Sequence, residues 1–187
     1  MIDLSYIRPA VAVEAIKAEL TQERFVRYTS KLNNEIYIVN VHNSPETVQE
    51  VGRLRELTFA SADGGTGKPV DLDKLDLSDN PYQQLIVWNP EEEEIVGGYR
   101  FIDGATVAGG KGNPQHDLSM GHYFQFSTQF LEDYLPYSIE LGRSWVQPKY
   151  QPAVDPRKGM FALDNIWDGL GAIVLKYENM RHFYGKV

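Results

Sequence analysis

The stretch of this sequence best equipped for chemistry is Ser138-Ile-Glu140-Leu-Gly-Arg143-Ser-Trp-Val146. With a side-chain period of two, Glu140 lies between Ile139 and Leu141 and shares a strand face with Ser138 and Gly142. Arg143 then points the other way unless the strand is bulged or ending. A carboxylate among apolar strand residues is costly unless it is paired or used. Two readings stay open from these residues alone: a structural ion pair from Glu140 to Arg100 or Arg143, or a general base. Other chemistries fall away. The chain has no cysteine, which removes disulfides, thiolate metal sites and a cysteine nucleophile. Gly64-Gly-Thr-Gly67-Lys68 invites comparison with a phosphate loop, but the full pattern demands glycine at Ala62 and a hydroxyl at Pro69. His42, His116, His122 and His182 lie far apart with no i, i+4 pair, so no metal site is expected. No G-x-S-x-G elbow occurs.

The whole chain, residues 1–187, reads as a single domain long enough to bury a core. Its 18 Lys and Arg against 26 Asp and Glu leave a net charge of -8, which argues against nucleic acid as the main partner. No apolar run reaches the ~18 residues of a membrane span, and the N-terminus lacks the order of a signal peptide. The expectation is a cytoplasmic protein with at most peripheral contact at the inner face of the membrane. Residues 141–187 depart from the acidic average, with seven basic residues against four acidic ones.

The elements that must position Glu140 follow from pattern. Residues 9–27 have helical spacing behind Pro9. Residues 35–41 are β-branched and aromatic and stop at a turn, as a strand does. Ser44-Pro45-Glu46 caps a second helix carrying Val48, Val51, Leu54 and Phe59, over residues 46–60. Residues 61–81 read as a long mobile loop. Residues 84–88 and 95–102 make a hairpin around Asn89-Pro90, with Glu91 to Glu94 as a solvated tip. A Gly-rich link leads to an aromatic-rich helical segment at 123–134, a buried strand at 137–146, and a helix at 160–177 whose broad apolar face must pack on a sheet.

These parts, in this order, resemble one branch of the GNAT acyltransferase superfamily. It is the branch of ornithine-lipid and glycine-lipid N-acyltransferases, often called hemolysin-like, related to the acyl-homoserine-lactone synthases. The resemblance covers residues 35–187. It rests on Arg53-Leu-Arg55 with Phe59, Asp73-x-x-Asp76, the hairpin Leu85-Ile-Val-Trp and Ile95-Val-Gly-Gly-Tyr-Arg100, the E-x-x-R of Glu140 to Arg143, and Ile166-Trp-Asp-Gly-Leu170. Gly64 to Lys68 followed by Asp71-Leu-Asp is similar to the glycine-lipid end. The fold implied is α/β (α+β): a mixed, mostly antiparallel sheet flanked by helices. The activity implied is transfer of a long 3-hydroxylated acyl chain from acyl carrier protein to the α-amine of a small amino acid of glycine or ornithine type. A second acyltransferase acting on the product is a further partner the family implies. No cofactor is held permanently; the donor is an acyl-phosphopantetheine.

Roles follow from what this reaction needs. Glu140 is the candidate base for the α-amine. Arg100 and Arg143 are the candidate cations for the amino-acid carboxylate. Backbone N–H groups near Trp145 and Val146, where the strand splays from its neighbour, are the expected oxyanion donors. Arg55, Phe59, Asp73 and Asp76 are carried over as substrate-binding residues. The superfamily's pyrophosphate loop, R/Q-x-x-G-x-G/A, is replaced by Gln147-Pro-Lys-Tyr-Gln-Pro-Ala-Val without glycine. That favours acyl carrier protein over coenzyme A, with Lys149, Arg157 and Lys158 facing the carrier's acidic surface. Alternatives are a homoserine-lactone-type signal synthase, which needs S-adenosylmethionine, and a GNAT-like module that binds acyl chains or a partner without turnover. The strand after the 160–177 helix can begin only near His182, so the chain reads as an N-terminal portion lacking the fold's last strands, or as one whose partner supplies them, with apolar residues of 137–146 and of the last helix expected to be exposed.

Overall fold

A computed structural model describes residues 3–186. In chain order these form α1 (Val13–Glu19), β1 (Phe25–Tyr28), β2 (Glu35–Val39), α2 (Pro45–Ala60), α3 (Lys74–Leu77), β3 (Gln83–Asn89), β4 (Glu94–Asp103), α4 (Gly104–Ala108), α5 (Pro114–Asp117), β5 (Ser138–Val146), α6 (Pro156–Lys176) and β6 (His182–Gly185). The six strands lie side by side in sequence order. Each neighbouring pair is antiparallel except β5 with β6, which run parallel. The expected mixed, mostly antiparallel sheet with flanking helices is what the chain forms.

Side-chain alternation explains the layers. Ile36, Ile38, Leu85 and Val87 face α6 and its Ile166 and Ile173, whereas Tyr37, Val39, Ile86 and Trp88 face α2 and its Val48, Val51 and Leu54. A third apolar cluster, including Tyr82, Ile102, Leu118 and Leu135, lies beneath the irregular segment joining β4 to β5. No helix among the described residues is long and apolar enough to cross a membrane.

Several expectations need correction. Only Val13–Glu19 of residues 9–27 is helical; Phe25–Tyr28 is an edge strand, because its aromatic and β-branched residues pair with β2 and set Phe25 against Tyr37. Ser44 stands at the start of α2, yet its hydroxyl caps nothing and is buried without a partner among the described residues. The Glu19 carboxylate does that work instead, accepting from Glu46 N at 3.0 Å and from Thr47 N and Oγ1 at 2.7 Å. Farther along α2, Val11 N donates to Glu50 and the Tyr6 hydroxyl to Glu56, so the N-terminal segment straps the helix.

Residues 61–81 are tied down where a mobile loop was expected. The buried Glu56 carboxylate accepts from Thr66 N, Thr66 Oγ1 and Gly67 N, so the glycine-rich loop wraps an internal carboxylate. Burial opposes that charge, but these bonds hold the Glu56 carboxyl below its usual range. The loop then forms α3, closed by a capping box between Asp73 and Asp76. In the 123–134 segment, Tyr123 and Phe124 are exposed and the helical part is a short, wide π-type turn at Phe130–Tyr134. The hairpin tip is paired rather than merely solvated: Glu93 meets Lys17, Glu92 meets Lys149 and Lys158, and Glu94 meets Lys149.

The exposure expected on the last helix is present, with Leu163, Leu175 and Trp167 open to solvent, Trp167 at 69%. In residues 137–146 it is partial: Tyr137 is exposed and Leu141 and Val146 are half-buried, whereas Ile139 and Trp145 are buried.

Candidate functional site

A β-bulge in β5 shapes the site. Pairing with β4 passes from Gly98 opposite Trp145 to Arg100 opposite Gly142, so Tyr99 faces two residues, Arg143 and Ser144. Arg143 takes the left-handed backbone conformation, with φ of 52°, that lets the extra residue fit. The bulge delivers its guanidinium to Asp71, 3.5 Å away, and over the Phe59 ring at 5.9 Å.

Behind Arg143 lies a buried ionic layer. Arg55 on α2 is fully buried and binds Asp71 at 3.1 Å and Asp76 at 3.2 Å. Arg100 on β4 binds Asp73 at 2.9 Å and Asp76 at 3.0 Å, with its guanidinium over the Tyr82 ring. Gln84 adds a hydrogen bond to Asp76 at 2.9 Å. Burial alone would raise the Asp76 pKa, but the charges of Arg55 and Arg100 hold it below the ordinary aspartate value. Arg55 and Asp76, carried over as substrate-binding residues, are therefore sealed from any substrate and act as the frame that places Arg100, Asp73 and Arg143.

Glu140 pairs with neither arginine, which removes the ion-pair reading. Its carboxylate is 1% exposed and accepts from Met120 N at 3.0 Å and from the Tyr184 hydroxyl at 3.2 Å, with the Tyr82 phenol beside it. Burial pushes the Glu140 pKa up, further than those hydrogen bonds pull it back. The same burial, with the Glu140 charge, raises Tyr184 and Tyr82.

Two cavities meet at the bulge. A polar one of about 260 Å³ is lined by Phe59, Asp73, Arg100, Arg143 and Lys186 among others, and an apolar one of about 550 Å³ by Tyr99, Leu163, Trp167, Leu170 and Phe183 among others. They share Leu141, Gly142, Ser144 and Lys186. This is where the sheet opens, because pairing of β5 with β6 ends at Leu141 opposite Gly185. Tyr184 borders the apolar cavity; Glu140 borders neither and lies one side chain behind.

The oxyanion position needs correction on this geometry. Trp145 is buried on the α2 side and Val146 borders neither of these cavities; the β5 residues that do are Leu141, Gly142, Arg143 and Ser144. Of the three expected carrier-facing cations, Lys149 and Lys158 are held by the hairpin glutamates, and Arg157 lies exposed at the start of α6. At that helix end Asp155 accepts from Arg157 N and Lys158 N at 3.0 Å each, and Pro152 packs so closely on Gly159 that a Cβ there would sit 2.3 Å from its nitrogen. A helix N-terminus is a natural phosphate site, and here the chain's own carboxylate fills it.

Residues missed from sequence as parts of the site are Asp71, Tyr82, Gly142, Tyr184 and Lys186. For Tyr184 a signal existed, since a parallel strand starting at His182 puts it opposite Glu140; Asp71 and Lys186 reach the site through loops that no local pattern fixes.

Comparison with known proteins agrees with this geometry. Residues 54–155 match the family described as Acetyltransferase (GNAT) domain. A glycine N(alpha)-acyltransferase of Phocaeicola vulgatus is 49% identical over 178 residues, 95% of this chain and 54% of that protein. Another of the same name from Bacteroides thetaiotaomicron is 50% identical over 181 residues, 97% of this chain and 53% of that protein. The chain thus spans about half the length of these curated relatives. No solved structure matches. The bulged fifth strand, the parallel sixth strand parting from it, and a family match running from α2 to the start of α6 together make this chain a member of the GNAT acetyltransferase domain family.

Proposed function

We propose that this chain is the catalytic part of an N-acyltransferase that moves a long, 3-hydroxylated acyl group from acyl carrier protein to the α-amine of glycine. The observation that carries the reading is the wall the two cavities share at Leu141, Gly142, Ser144 and Lys186: a polar, cationic space for a small amino acid lies there beside an apolar space for an acyl-pantetheine arm. The relatives' name, glycine N(alpha)-acyltransferase, supports the acceptor. Arg143, and Arg100 behind it, supply positive charge for the carboxylate.

In the reaction the neutral amine attacks the thioester carbonyl. Backbone N–H groups at the bulge stabilise the oxyanion. As the C–N bond forms, the amine proton passes to Tyr184 while the phenolic proton moves to Glu140. Collapse breaks the C–S bond, and the departing thiolate takes a proton back from this pair. The filled helix N-terminus at Asp155 supports a carrier-protein donor over coenzyme A, whose pyrophosphate would need that place. The free 3-hydroxyl of the product suits a second acyltransferase.

The test is incubation of the full-length protein with 3-hydroxyacyl carrier protein or the corresponding acyl-coenzyme A, plus glycine, ornithine or other amino acids, read by mass spectrometry. N-Acylglycine from the carrier donor is the expected product. A lactone formed with S-adenosylmethionine, or no product with any acceptor, would overturn the proposal.

A further inference from the structure

Glycines in the central strands of this sheet have steric reasons to be glycine, with one exception. A Cβ on Gly97 would sit 2.4 Å from the Trp145 carbonyl oxygen, and one on Gly98 would sit 2.1 Å from that of Leu85. Gly142 is different. Its nearest neighbour to an added Cβ is Arg100 Nε at 3.9 Å, an ordinary contact, and its φ is not in the left-handed region. Glycine weakens a strand, and where packing does not demand it, it marks a place that another group approaches closely.

What should approach is written on the other side of the gap. Arg100 is 2% exposed; its Nη1 is taken by Asp73 and Asp76, but its Nε is buried with no hydrogen-bond partner among the described residues. A buried donor left unsatisfied is expensive, and the Cβ direction of Gly142 points toward this one, with no other atom beyond its chain neighbours within 4 Å of a Cβ placed there. Both residues line the polar cavity, whose charged lining is Arg100, Arg143 and Lys186 against Asp73. We infer that Gly142 is the acceptor-size filter of the site: it leaves room for the amino acid's carboxylate to lie against β5 and accept from Arg100 Nε, with Arg143 alongside. This rests on the functional reading above and adds to it the residue that sets the space.

Steady-state kinetics of the full-length enzyme with acyl carrier protein donor would compare wild type with Gly142→Ala. Because the added methyl meets nothing closer than 3.9 Å, the melting temperature should hold. The KM for glycine should rise roughly tenfold to a hundredfold, the loss of a charge-assisted hydrogen bond. An unchanged KM, or a fall in kcat alone, overturns the inference. A second readout needs no variant: wild type should discriminate glycine from glycinamide, which has the same size without the charge, and equal use of the two overturns it as well. Should the enzyme acylate no amine, the functional reading falls, and calorimetric titration with glycine still decides the subsite. Binding weakened by Gly142→Ala supports it; equal binding, or none to wild type, rejects it.

Discussion

Tyr184 faces Glu140 across the parallel strand pair, its hydroxyl 3.2 Å from the carboxylate, and of the two only Tyr184 borders a cavity. The acid is thereby kept dry while a phenol stands between it and the space where the chemistry is proposed. Each group depends on the other, because a buried carboxylate needs donors and a half-buried phenol needs an acceptor.

Glu140→Gln keeps the shape of the side chain and removes its basicity. Turnover should drop by about 10²- to 10⁴-fold. In wild type the acidic limb of the kcat/KM profile should lie above the ordinary glutamate value of ~4.3, because burial raises this group, and the limb should vanish in the variant. Stability follows the same sign. A raised folded-state pKa gives stability that is present below ~4.3 and lost as pH rises through the folded value, so the variant should gain on wild type toward neutral pH. Kinetics and melting across pH 4 to 8 check both, and near-normal turnover would assign Glu140 a purely structural role.

Tyr184→Phe removes the hydroxyl alone. If the phenol relays the proton, kcat should fall roughly 10- to 100-fold with the KM for glycine little changed, a share of what general acid–base catalysis supplies. The pH profile should lose its dependence on Glu140. A variant with unaltered kcat would show that the proton takes another route.

Asp76→Asn removes the carboxylate that two buried arginines share, leaving Arg55 with Asp71 alone and Arg100 with Asp73 alone. Breaking such a pair costs about 3–5 kcal/mol, so a large drop in melting temperature is expected. Here the pKa is depressed, so the stabilisation is present above the ordinary aspartate value of ~3.9 and is lost as pH falls through the folded value. Acid unfolding should therefore be steep in wild type and shallower in the variant. Urea melts at pH 3 and pH 7 measure the difference.

Asp155→Ala uncaps α6 and empties the anion place at its N-terminus. Loss of the cap should cost ~1 kcal/mol. If the cap is what excludes a pyrophosphate, use of acyl-coenzyme A should improve relative to acyl carrier protein. A donor ratio that does not move would mean that selectivity arises elsewhere.

Where pattern is local, sequence and structure coincide. The hairpin of β3 and β4, α2, β5 and α6 carry their own periodicities, and each stands within a few residues of expectation. β1 was hidden because four edge residues inside helix-like spacing look helical until β2 is beside them. Order in residues 61–81 was hidden because Glu56 and Arg55, which hold that segment, do so through tertiary contacts that no local pattern displays. Within the site, the E-x-x-R spacing pointed to both residues, but only the bulge explains how an odd interval brings Arg143 to Asp71. Lys149 and Lys158 looked available because the glutamates that neutralise them lie some 55 to 66 residues away.

Glu19 closes the first turn of α2, and Val11 and Tyr6 hold the same helix farther along. The family match begins at residue 54, midway through that helix, so a boundary drawn there would cut a cooperative unit in two. Residues 6–60 should exchange their amide hydrogens as one block, opening together rather than fraying from the N-terminus. Limited proteolysis should leave residues 6–19 intact until the sheet itself gives way.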